Sequence, residues 1–300
     1  MAEVPKWTKF PNYPVTAGSM VLALGVTLAW WAKVDISPLV ADAHIRRGEL
    51  WRLVTDIFPH LDFLHLAFNL YWTWIFGSLL ERVFGHVKTA ALFLLFAVGA
   101  SALDFALDRG GVGLSGVGYG LFGLLWMLSR RDDRFRNAID QRTVVLFLAW
   151  FGFCILTTVT HTLPVANVAH GGGLILGVLV GIAISVPEQR ILAAAGAAAV
   201  LGFSLWGATL GRPLVNLSGK GGYEEGEWGY YALLANRNEE ATRWFRDAAT
   251  YQPRDAAFWF DLGIAYRRLG NRSAAAAAFE RAHALEPLNA DYEFTPDEKQ

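Results

Sequence analysis

One serine and one histidine stand in this sequence where side chains of their kind could form a nucleophile–base pair. Ser115 lies in Gly110-Gly-Val-Gly-Leu-Ser-Gly116, a glycine-rich stretch that opens an apolar helix. The first N–H groups of a helix have no internal partner, and the helix dipole favours negative charge there. A tetrahedral intermediate on Ser115 could therefore set its oxyanion against those groups. The neighbouring glycines would let backbone and substrate come close. The plainer alternative is a serine that caps its helix. A serine nucleophile needs a base, and His170 sits in Ala169-His-Gly-Gly-Gly173 within another apolar stretch. An ionisable residue in such a stretch points to function; the alternative is a histidine bonded to a neighbouring helix.

These side chains need helices to carry them. Gly116 and Gly120 are four apart, as are Gly173, Gly177 and Gly181. Small residues at that spacing let two membrane helices pack closely, which would bring Ser115 and His170 together. In Phe58-Pro-His60-Leu-Asp-Phe-Leu-His65-Leu-Ala-Phe-Asn69, His65 and Asn69 share one helix face. Both can donate hydrogen bonds, as an oxyanion site requires; the alternative is an interhelical polar pair.

The elements are those of a membrane protein. From Thr143 to Pro187 there is no Asp, Glu, Lys or Arg, a stretch of 45 residues that suits two spans and a turn. The 300 residues are 54% hydrophobic and only 18% charged, with a mean hydropathy of +0.30. Seven spans are expected, near 15–34, 63–80, 89–107, 113–129, 143–161, 166–186 and 191–211. The segment 36–62 mixes Arg46, Arg47, Arg52 and Asp56 with Trp51, Leu53, Ile57 and Phe58, and reads as a structured interfacial loop. With the N-terminus in the cytoplasm, ten Lys and Arg fall inside, led by the run Arg130–Arg142. Seven fall outside: Lys33, Arg46, Arg47, Arg52, Arg109, Arg212 and Lys220. The positive-inside rule favours this orientation, which puts the tail outside. The first apolar run ends in Trp30, Trp31 and Lys33, so it reads as a span and not as a cleavable signal. A net charge of −1 gives no reason to expect a nucleic-acid partner, and the single cysteine, Cys154, cannot form an intramolecular disulfide.

After residue 212 the composition becomes that of a soluble domain, with 11 Lys+Arg and 14 Asp+Glu in 212–300. Gly229 and Gly263, Ala241 and Ala275, Phe245 and Phe279, Ala248 and Ala282, and Pro253 and Pro287 are each 34 apart. This spacing resembles the tetratricopeptide repeat, a helix–turn–helix unit. Asn236 stands where the first copy would have its turn glycine. Two copies fall short of the usual three, so a further packing partner is expected.

Taken together, Gly113-Leu-Ser115-Gly116, His65 with Asn69, Ala169-His170-Gly-Gly-Gly173 and Trp51-Arg52 resemble the GxSG, HxxxN, AHxxG and WR motifs of the rhomboid family, in that order. The resemblance covers about 15–187. It implies an intramembrane serine endopeptidase with a Ser115–His170 dyad and no third acid. It implies an oxyanion site of His65, Asn69 and the Ser115 N–H. Tyr119 matches the aromatic residue that packs on the base, and His60 a histidine commonly found in the family. Trp51 and Arg52 would be structural. The implied substrates are membrane proteins, mainly single-pass, cut near a small residue where the helix is weak.

Other chemistries lack their residues. Residue 117 is valine, so there is no Gly-x-Ser-x-Gly elbow, and no His-Glu-x-x-His occurs. No pair of intramembrane aspartates suits an aspartyl mechanism. No cofactor or metal is expected. Asn216-Leu-Ser and Asn271-Arg-Ser are formal glycosylation sequons of a kind frequent by chance.

The expected fold is an all-α polytopic bundle with a soluble helical-repeat domain. Its parts are a short cytoplasmic N-terminus (1–14), a membrane core (15–187), a seventh helix (188–211), a linker (212–221), and two repeats with a tail (222–300). The expected location is a membrane, most consistent with a bacterial plasma membrane, with the repeats offering a surface to a protein partner. Two rivals are a catalytically silent relative that escorts membrane clients and an unrelated transporter or scaffold. The latter would carry polar residues through both leaflets.

Overall fold

The computed structural model describes residues 4–163, 165–219 and 221–289. Residues 1–3 of the expected N-terminal segment, Lys220 of the expected outer charges and residues 290–300 of the expected tail lie outside them. The described residues are helical, with no strand among them, and the chain divides into two compact units, Met1–Val215 and Asn216–Gln300.

In the first unit, α1 is Pro14–Trp31. The next element, Phe63–Leu107, is 45 residues long. At 1.5 Å per residue it would measure about 67 Å, roughly twice the hydrocarbon thickness of a bilayer. Gly85 divides it, with φ 77° and ψ 172°, a backbone setting that residues with a side chain rarely adopt. The arms before and after Gly85 are α2 (63–84) and α3 (86–107). Then follow α4 (Ser115–Arg131), α5 (Gln141–Val159), α6 (Asn167–Ser185) and α7 (Arg190–Ala208). Among the described residues, five elements are long and apolar enough to cross a membrane, the divided one among them. At 17 residues α4 is the shortest, about 26 Å long.

Burial sorts these helices. From Gly116 to Leu125 every residue of α4 is buried, so α4 is the centre of the bundle. Phe76, Phe96, Phe122 and Leu176 pack in the same cluster. The outer helices instead expose large apolar side chains: Val21, Leu22 and Leu28 on α1, Val145, Trp150 and Leu156 on α5, Ile191, Leu192 and Phe203 on α7. In water so extensive an apolar surface would aggregate; against lipid tails it is matched.

The closest helix pair is α4 with α6. A Cβ built on Gly173 would collide with the carbonyl oxygen of Gly116, and one on Gly177 with that of Gly120. Only glycine permits this approach, the small-residue packing expected of the two stripes.

Buried charges fasten the ends of the helices. Glu81 of α2 accepts from Val15 N (2.9 Å), Thr16 N (2.9 Å) and Thr16 Oγ1 (2.6 Å), satisfying the open N-terminus of α1. The segment 36–62 is a structured loop. Arg52, 5% exposed, pairs with Glu49 (2.6 Å) and Asp42 (3.3 Å) and donates to the Val40 carbonyl (2.8 Å). Trp51 Nε1 donates to the Pro38 carbonyl at 3.1 Å.

Among the described residues the second unit has four helices, α8 (Tyr223–Leu234), α9 (Asn238–Tyr251), α10 (Ala256–Arg268) and α11 (Arg272–Leu285). The 34-residue spacing has a physical cause here. Cβ atoms built on Gly229 and Gly263 would lie 2.9 and 2.6 Å from the rings of Phe245 and Phe279, so each Gly–Phe pair closes one helical hairpin. Asn236 takes φ 57° and Gly270 φ 74°, the same left-handed turn in both copies. Asparagine tolerates that conformation better than most residues.

Candidate active site

α2 starts at Asp62, whose carboxylate accepts the His65 N–H at 2.9 Å. This start sets His65 and Asn69 in the first turns. The His65 ring lies over Gly113: a Cβ there would stand 2.8 Å from both Cε1 and Nε2. Gly113 also has φ 113°, so glycine is required twice over.

His60 is buried and packs edge-on to His65, with ring centroids 4.8 Å apart. Its Nδ1 is 2.9 Å from the Phe58 carbonyl, and its Nε2 accepts the Leu114 N–H at 3.2 Å. One tautomer serves both bonds, with the proton on Nδ1. His60 thus anchors the residue just before Ser115. Gly113 N donates to the Asp56 carbonyl at 3.1 Å and holds the same strand of loop.

Ser115 is the first residue of α4, as the glycine-rich opening suggested. The first bond inside that helix end runs from Gly118 N to the Leu114 carbonyl (2.8 Å). The N–H groups of Ser115, Gly116 and Val117 therefore precede the ladder and form a donor cluster beside the hydroxyl. His170 Nε2 lies 2.8 Å from Ser115 Oγ. The imidazole is 5% exposed and stacks on Tyr119, with centroids 4.7 Å apart and planes at 28°. Tyr119 is itself fixed by donating to the Phe147 carbonyl at 3.1 Å. With the Ser115 hydroxyl donating to Nε2, the ring proton sits on Nδ1, which meets no hydrogen-bond partner among the described residues.

Gly116 and Gly173 are the contact behind this pair, because their helices meet there. One N–H of the Asn69 amide donates to the His65 carbonyl (3.0 Å), one turn back on its own helix.

Two acids that the motifs did not single out converge on the same place. A cavity of about 20 Å³ behind Ser115 is lined by Asp56, Ser101, Asp104, Gly111 and Ala169. Asp56 and Asp104 are each 2% exposed. Asp56 Oδ1 accepts from Ser101 Oγ at 2.8 Å, and Asp104 Oδ1 accepts from Ala169 N at 3.0 Å. The fold thus brings a loop residue and a helix residue 48 positions apart in sequence to one cavity. Each carboxylate is hydrogen-bonded, Asp56 to a serine hydroxyl and Asp104 to a backbone amide. The available signal for Asp104 was its position inside an apolar run.

Residues 47–187 match the family model of the rhomboid domain. The chain carries a rhomboid domain. Its C-terminal unit matches the tetratricopeptide repeat over residues 256–289, the second of the two 34-residue copies. Over 183 residues the chain is 33% identical to the rhomboid protease GlpG of Serratia proteamaculans (strain 568), covering 55% of this chain and 61% of the relative. Against the rhomboid protease GlpG of Photorhabdus laumondii the identity is 34% over 138 residues, covering 45% of this chain and 47% of the relative. The chain spans about three fifths of the length of the first of these relatives. The rhomboid domain and the exposed apolar helices make this an integral membrane protein.

Proposed function

We propose that the rhomboid domain is an intramembrane serine endopeptidase that uses Ser115 as nucleophile and His170 as base. The observation that carries this reading is the 2.8 Å contact from Ser115 Oγ to His170 Nε2 at the open N-terminus of α4. His170 takes the hydroxyl proton as Oγ attacks the scissile carbonyl. The oxyanion that forms faces the first N–H groups of α4, with His65 beside them. His170 then returns the proton to the leaving amine, and water, activated by the same imidazole, releases the acyl group. Asn69 joins the oxyanion site through the second N–H of its amide, the first being bonded to the His65 carbonyl.

Membrane proteins, chiefly single-pass ones, are the proposed substrates. A spanning helix hides its peptide bonds in internal hydrogen bonds, so cleavage requires local unwinding. The proposed location is a bacterial plasma membrane; the Lys and Arg distribution supports a cytoplasmic N-terminus and repeats outside. The stacked repeats offer a surface for a protein partner.

The test is cleavage of a single-pass substrate in liposomes by wild type, Ser115→Ala and His170→Ala. Wild-type cleavage lost in both variants is the expected result. Cleavage that survives in Ser115→Ala removes the nucleophile assignment. Client binding by wild type with no cleavage, and no labelling of Ser115 by a serine-reactive probe, would favour the escort.

A further inference from the structure

A serine–histidine pair without a third acid must hold its imidazole by other means. His170 Nδ1 meets no partner among the described residues. The stack on Tyr119 sets the plane of the ring but leaves its height along α6 open. That height follows from where α6 begins, since His170 is the fourth residue of the helix.

The start of α6 has no cap of its own. Its preceding residue, Ala166, has no side-chain acceptor, and no side-chain cap bond is formed from that position. An acceptor arrives from elsewhere in the chain. Asp104, near the end of α3, takes the Ala169 N–H at 3.0 Å across 65 residues of sequence. This is the third N–H of the helix, the one a local Asp or Ser cap would satisfy, and it belongs to the residue directly before His170. The other oxygen, Oδ2, lies 3.2 Å from where a Cβ on Gly111 would stand, so the loop leading to Ser115 closes over the same carboxylate. Asp104 therefore touches both the start of the base helix and the approach to the nucleophile. It is 2% exposed, so water is a poor substitute for it on the Ala169 amide.

We propose that Asp104 is the positioning residue of His170: its carboxylate, delivered from α3, fixes the first turn of α6 and so holds the imidazole on Ser115. This rests on the Ser115–His170 reading above. It gives α3 a part in the reaction without any contact with the substrate. It also sets the bond as the requirement and leaves the charge secondary, because an amide oxygen at the same place can accept from Ala169.

The experiment compares wild type, Asp104→Ala, Asp104→Asn and Asp104→Glu in full-length protein, with Ser115→Ala as the blank. Each is measured for kcat, KM and hydrogen exchange at the amides of 167–171. Asp104→Ala should lower kcat on the order of 10- to 100-fold, the effect of a displaced base, with KM within about 2-fold. Exchange at 167–171 should rise with it. Asp104→Asn should recover most of kcat and all of the protection. Asp104→Glu keeps the charge but moves the acceptor by one methylene, so it should resemble Asp104→Ala; it also carries the test if the alanine variant does not fold. An asparagine variant as inactive as Asp104→Ala would overturn positioning in favour of a role for the charge or for an acidic proton, as would an unimpaired Asp104→Glu. Unchanged kcat in Asp104→Ala would also overturn it. If wild type cleaves nothing above the Ser115→Ala blank, the protease reading has failed, and exchange alone decides. Unaltered protection in Asp104→Ala then shows that the residue does not pin α6.

Discussion

Replacing Gly173 by alanine tests whether the α4–α6 approach sets the active geometry. The added methyl would collide with the Gly116 carbonyl oxygen and stand 3.1 Å from Gly116 C and 3.3 Å from Gly120 N. These are backbone atoms in the buried stretch of α4 and cannot turn aside. Relief requires the helices to part by about 1 Å to restore ordinary van der Waals separation. Gly116 follows Ser115 directly, and Gly173 lies one turn after His170, so the parting falls on the dyad. The contact, 2.8 Å at present, would open to roughly 3.8 Å, beyond hydrogen-bond range. A displacement of that size costs on the order of 100-fold in rate, or about 2.7 kcal/mol of barrier. Overpacking itself should lower stability by about 1–3 kcal/mol. Gly118→Ala is the control, because a Cβ there meets nothing within 4 Å. It keeps the rate and gains helix propensity. Cleavage of a membrane substrate by both variants, at a temperature well below their unfolding, gives the comparison. Equal activity of Gly173→Ala and wild type, or equal losses in the two variants, would refute the reasoning.

Glu81→Ala leaves the Thr16 hydroxyl and two N–H groups of α1 unsatisfied in a buried site. Thermal unfolding in detergent should show a loss of about 3 kcal/mol or more, while Glu81→Gln loses less. In the repeat unit, burial, with Asp255 adding to it, raises the Asp261 carboxyl to about 6. The folded value lies above the unfolded one, so ionised Asp261 opposes folding, fully so above pH 6. The penalty fades as pH falls through 6 toward 3.8. Asp261→Asn should therefore stabilise the full chain against urea at pH 8, with a gain that shrinks by pH 5. A gain constant across that range would show that the carboxyl is not perturbed.

Much of the site was legible because its chemistry is local in sequence. Gly113, Ser115 and Gly116 lie on one turn, and so do His170 and Gly173, so each motif states its own geometry. The meeting of the two motifs could be argued as well, since glycines four apart on each helix leave one face of each able to approach closely. The helices were found from hydropathy within a few residues. The Asp62 cap starts α2 at residue 63, as expected; the inner ends moved because Gly85 alone divides a run of 45 residues, so the two arms reach 84 and 86 where 80 and 89 were expected. The helix face of Asn69 could be read from its spacing to His65; its rotamer could not, and one N–H of its amide satisfies the His65 carbonyl.

The acids were hidden for a different reason. Asp56 and Asp104 carry no motif, and one belongs to a loop and the other to a span. Hydropathy treats each as an isolated blemish. Only folding shows that the loop before α2, the end of α3 and the start of α6 meet around one cavity behind the serine. A carboxylate buried there must be bonded or it would destabilise the bundle, and both are: Asp56 to Ser101 and Asp104 to the amide before His170. Where a buried acid carries a bond that the base helix cannot make for itself, its place in an apolar run follows from the geometry of that helix. That places Asp104 with Tyr119 and Gly173 among the residues that hold His170, although it stands 66 positions before His170 and belongs to none of the motifs.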